Sequence, residues 1–129
     1  MTEWANPLAT NNPDLSAFKA RGGRLIIWHG LADSLIFPQG TISYYTRVID
    51  TLGGLGATRS FARLFLAPNV GHCGGGTGPA PADPFSAVVA WREHGVAPDT
   101  LLATLPAGQG PRRAGSDWAC ARRLGTSGA

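Results

Sequence analysis

Two short apolar runs constrain this chain more than anything else in it: Arg24-Leu25-Ile26-Ile27-Trp28-His29 and Phe61-Ala62-Arg63-Leu64-Phe65-Leu66-Ala67. Each is nearly continuous and contains aromatic or β-branched members, which suits a strand covered on both faces, as in a parallel sheet. Parallel neighbours need a long crossover, and the segment between the runs supplies one. Pro38 is placed where a missing N–H costs a helix least. Ile42, Tyr45, Val48, Ile49 and Leu52 then recur at three- and four-residue spacings, an amphipathic stripe that Gly53-Gly54 brings to an end.

The flanks extend the same grammar. Asn12-Pro13-Asp14 reads as a turn into a short helix over residues 14–20, with Asp14 and Ser16 available to its free N–H groups and Gly22-Gly23 to close it. Asp83 is placed to cap a helix over residues 84–93, with Phe85, Val88, Val89 and Trp91 as its apolar members and His94-Gly95 at its end. Leu101-Leu102-Ala103-Thr104-Leu105 reads as a third short strand. The expected fold is α/β, a partial parallel sheet of about three strands with flanking helices. Residues 1–105 form its domain, and residues 106–129 an irregular basic tail. Gly (18) and Pro (10) exceed a fifth of the 129 residues, in keeping with many turns.

Charge excludes more than it suggests. The net charge is +3, and Arg112, Arg113, Arg122 and Arg123 account for the excess, as expected of a solvated terminus. No basic helix or aromatic stacking surface accompanies them, so no nucleic-acid partner is expected. No apolar run reaches the roughly 20 residues needed to span a bilayer, so no membrane partner is expected either. The start, Met1 to Asn6, lacks the basic and apolar regions of an export signal. Cys73 and Cys120 are too few for a disulfide framework.

In open α/β sheets, functional groups gather beyond the carboxyl ends of the strands. Asp33 follows the first run and His72 the second, 39 residues later, and one crossover brings two such ends together. A carboxylate there can accept from one imidazole nitrogen, fix its tautomer and stabilise the imidazolium. Asp before His is also the order of the last two members of an α/β-hydrolase triad.

The local sequences carry a resemblance. Gly22 to Ile36, with its Trp28-His29-Gly30-Leu31-Ala32-Asp33 core, resembles the segment around the triad acid in the tannase and feruloyl esterase family. Phe61 to Gly76, ending Gly71-His72-Cys73-Gly74-Gly75-Gly76, is similar to that family's histidine segment, and Pro13 to Phe18 and Val89 to Asp99 resemble further family blocks. The resemblance implies a partial α/β-hydrolase fold and a serine carboxylic-ester hydrolase acting on a small-molecule aromatic ester, with Asp33 as triad acid and His72 as base. It implies that Cys73 forms a disulfide with the Cys before the nucleophile in a Gly-Cys-Ser-x-Gly-Gly elbow. It also implies export from the cytoplasm, against the start of the chain, and the location is left open. None of the seven serines here lies in such an elbow, and the Cys120-Ala121-Arg122-Arg123 tail departs from the family's ending. The chain is therefore expected to be the C-terminal part of a hydrolase whose nucleophile and lid lie elsewhere. The family's calcium site is expected in that lid, with no cofactor held by this chain. Two partners follow for the exposed sheet edge: a second copy, or a complementing upstream chain. The alternative is a non-catalytic relative that serves as a binding or assembly module.

Other constellations are weaker. Gly71 to Gly78 lacks the Lys-Ser/Thr ending of a phosphate-binding loop and the spacing of a dinucleotide fingerprint. His29, His72, Cys73 and His94 match no tetrahedral metal pattern, and His29 reads as strand packing. The four tryptophans read as packing residues.

Overall fold

The computed structural model describes residues 10–106 and the backbone pairing of Arg122–Arg123. Its elements run α1 (Ser16–Ala20), β1 (Leu25–Gly30), α2 (Pro38–Thr51), α3 (Leu55–Arg59), β2 (Ala62–Ala67), a 3-10 turn (His72–Gly74), β3 (Ala80–Pro81), α4 (Pro84–His94), β4 (Ala103–Thr104) and β5 (Arg122–Arg123).

β1 and β2 pair in parallel from Leu25↔Ala62 to Gly30↔Ala67. Successive side chains of a strand point to opposite faces, and the two faces are covered by different helices. Leu25 and Ile27 of β1 and Ala62 and Leu64 of β2 meet Tyr45, Ile42 and Ile49 of α2. Ile26, Trp28 and Phe65 meet Ala87 of α4 and Leu101. Tyr45 is buried and donates its hydroxyl to the Ala62 carbonyl at 2.9 Å, tying α2 to β2. Arg63, on the α4 face, bonds Asp99 and the Pro98 carbonyl, each at 2.6 Å, and lies over the Trp91 ring.

The helix ends follow their chemistry. Asp14 accepts the Ser16 N–H at the start of α1, Pro38 begins α2, and Asp83 accepts the Ser86 N–H at the start of α4. Gly95 ends α4 in the left-handed region at φ 73°.

Three expectations need correction. The parallel part of the sheet has two strands. Leu101–Leu105 does not extend it, because the far edge of β2 is already paired, antiparallel, with β5. Instead Leu101 is buried against Phe65, Leu102 is exposed, and Ala103–Thr104 pairs antiparallel with Ala80–Pro81 in a separate ribbon. Second, Leu55–Arg59 forms a helix that carries no periodic signal, being only 5 residues long with a glycine inside. Third, Phe85 points to solvent, and Trp91 is the buried residue of α4. The expected irregular tail, like Cys120, lies outside the described residues apart from the β5 pairing.

Candidate active site

The loops bearing Asp33 and His72 leave the carboxyl ends of β1 and β2 as one braided unit. The Leu31 N–H donates to the Ala67 carbonyl and the Ala32 N–H to the Val70 carbonyl, each at 2.9 Å. Gly30 permits this approach, because a Cβ there would run into the Val70 carbonyl. The second loop closes on itself. Asn69 takes a positive φ, Val70 bridges Gly76, the Gly71 N–H meets the Gly75 carbonyl, and the Gly78 N–H returns to the Asn69 carbonyl. Gly76, at φ 100°, lies so near Asn69 that no side chain fits. His72 stands at the tip of this loop, with Cys73 beside it at φ 54°.

The structure brings the two expected residues together. His72 Nδ1 lies 3.0 Å from Asp33 Oδ2. The other carboxylate oxygen, Oδ1, accepts the Leu35 and Ile36 N–H groups, each at 2.9 Å. Asp33 is buried, while the His72 side chain is 37% exposed. The Ile36 N–H, with the His72 imidazole and the Leu35 N–H adding to it, outweighs desolvation and lowers the Asp33 carboxyl to about 2. An ionised carboxylate only accepts. The proton between the two residues therefore sits on Nδ1, and Nε2 is the basic nitrogen. Among the described residues, Nε2 bonds no hydroxyl.

Cys73 is exposed and unpaired among the described residues. His94 ends α4, where a basic group complements the helix dipole. Among the described residues no group of three or more His, Cys, Asp or Glu side chains is arranged to hold a metal ion. No helix among them is long and apolar enough to cross a membrane.

Reading His29 as strand packing missed its contacts. Its Nδ1 lies 2.8 Å from Thr41 Oγ1, and its Nε2 lies 2.9 Å from the Ile36 carbonyl and 3.4 Å from Asp33 Oδ2. The available signal was parity: alternation along β1 puts His29 on the face of Leu25 and Ile27, toward α2.

A parallel strand pair clad by helices on both faces, with a carboxylate and an imidazole joined across its carboxyl end, has the architecture of an α/β-hydrolase. The family model for tannase and feruloyl esterase matches residues 1–121, and the chain belongs to that family. It is 51% identical over 96 residues to a protein of Arthroderma benhamiae described as "Probable feruloyl esterase", covering 73% of this chain and 18% of that protein. It is 40% identical over 101 residues to the mono(2-hydroxyethyl) terephthalate hydrolase of Piscinibacter sakaiensis, covering 78% of this chain and 16% of that enzyme. The crystal structure of feruloyl esterase B from Aspergillus oryzae superposes with a TM-score of 0.71 at 29% identity, over 78% of this chain and 23% of that one. The chain thus spans less than a quarter of the length of each.

Proposed function

We propose that this chain is the acid–base portion of a serine carboxylic-ester hydrolase acting on aromatic esters, with Asp33 as the acid and His72 as the base. The observation that carries the reading is the 3.0 Å bond from His72 Nδ1 to the buried Asp33 carboxylate, which leaves Nε2 turned outward. In this reading Nε2 takes the proton of a serine hydroxyl as that oxygen attacks the ester carbonyl. It then returns the proton to the departing alkoxide, and water repeats the cycle on the acyl-enzyme. The Asp33 carboxylate balances the imidazolium in both halves.

The serine comes from a part of the hydrolase outside these 129 residues, and so does the lid that would hold calcium and select the ester. The half-covered β1 supports a partner at its open edge, with the upstream hydrolase segment as occupant. Exposed Cys73, next to the base, is suitably placed for a disulfide to the nucleophile loop, as the family resemblance implies.

The test supplies the upstream segment bearing the Gly-Cys-Ser elbow and follows burst release of phenol from a chromogenic aryl ester. Turnover is expected, and His72→Ala lowers it about a million-fold, as removal of a triad base does. No turnover with the upstream segment present refutes the hydrolase role. Saturable binding of the ester without turnover, unchanged by Asp33→Asn, would make the chain a non-catalytic module.

A further inference from the structure

The geometry points to His29 as a positioning residue for the catalytic acid, acting through a relay that runs from α2 to the carboxylate. The contacts fix its tautomer. Both neighbours of Nε2, the Ile36 carbonyl and Asp33 Oδ2, can only accept, so Nε2 carries the hydrogen. Nδ1 then accepts from the Thr41 hydroxyl. Thr41 differs in this from two other threonines of α2. Thr46 and Thr51 return their hydroxyls to the carbonyls of Ile42 and Arg47, four residues back, whereas Thr41 bonds across to β1.

The relay fixes the acid loop at both ends of one residue. The Ile36 N–H is held by Asp33 Oδ1, and its carbonyl is held by His29 Nε2. The turn from Asp33 to Ile36 is thus pinned to the strand it leaves. Oδ2, the oxygen that meets His72 Nδ1, also has the His29 N–H at 3.4 Å. The His29 and Asp33 side chains are only 12% and 7% exposed, so water competes little for the contact between them. His29 touches neither the reacting atoms nor the outward nitrogen of His72. It acts by keeping the Asp33 carboxylate where the His72 tautomer needs it. The catalytic consequence rests on the hydrolase reading, but the relay itself does not.

Imidazole nitrogen spectra of the 129-residue chain test the relay without any substrate. The three histidines are separable by single substitution. At mildly alkaline pH, His29 is expected as the Nε2–H tautomer and His72 as Nδ1–H with a low-field proton. Thr41→Val removes the hydroxyl that selects the His29 tautomer, and a mixture of tautomers is expected. His29→Leu should abolish the low-field His72 proton, and His29→Gln, whose amide can still donate to the loop, should retain it. His29 found as Nδ1–H overturns the proposal. So does a single unchanged tautomer in Thr41→Val, which removes no buried ring and keeps the test open should His29→Leu not fold. A low-field His72 proton that survives in folded His29→Leu also overturns it. Where turnover is obtained with the upstream segment, His29→Leu lowers kcat about 10–100-fold with KM unchanged, the scale of other groups that orient an imidazole through its partner. Expected spectra without turnover would sink the hydrolase reading and leave the relay standing.

Discussion

β1 and β2 are both six-residue, largely apolar strands, yet their environments are inverted. β2 is buried almost throughout, and the loop it feeds puts His72 out toward solvent. β1 is only half-buried up to its last residue, and the loop it feeds draws Asp33 inside. The proposed function gives the loops a chemical reason to differ. An acid that orients an imidazole must stay ionised and fixed, which suits a carboxylate held by the Leu35 and Ile36 N–H groups. A base must reach its reactants. The strands differ because β2 has neighbours on both sides, whereas β1, among the described residues, pairs on one side only. A run as apolar as Leu25-Ile26-Ile27-Trp28 belongs in the middle of a sheet.

The largest effect that would test this contrast is on stability. Phe65→Ala, at a fully buried position of β2, should cost about 3–5 kcal/mol in urea unfolding. Ile27→Ala on half-buried β1 should cost about 1–2 kcal/mol. Equal losses would break the comparison. A rise in the Ile27 penalty when the upstream segment is bound would sharpen it, since a neighbour would have completed that side of the sheet.

A smaller effect comes from the acid. The folded carboxyl of Asp33 lies near 2 against an ordinary 3.8, so its contribution is complete above the ordinary value and drains away as pH falls toward the lowered one. Between about pH 4 and about pH 2 the parent chain should lose more stability than Asp33→Asn does. Parallel losses would show that the loop does not hold the charge. The smallest effect is at the α2–β2 junction, where Tyr45→Phe removes the bond to the Ala62 carbonyl and should cost about 1 kcal/mol, read as a shift in the urea midpoint.

What could be read from sequence was whatever is decided locally. The two strands, α2 with its proline start and glycine stop, and the Asp83 cap each announce themselves within a dozen residues. The Asp33–His72 pair was readable because a parallel register places successive strand ends side by side. Other features depend on partners remote in sequence. Ala103–Thr104 is a strand only because Ala80–Pro81 lies beside it, and Leu101 is directed by Phe65 rather than by its own neighbours. α3 is too short to show a period. The part played by His29 depends on Thr41 and Ile36, residue types that no catalytic pattern singles out.

The bonds from Leu31 to Ala67 and from Ala32 to Val70, with Gly30 bare beneath them, have a consequence for assembly. Asp33 and His72 are mounted on a common frame, so thermal displacement of either loop carries the other with it. In the proposed hydrolase, a nucleophile supplied by another segment would be aligned with one body rather than two. Much of the orientational entropy of that three-group catalyst would then already be spent when this segment folds.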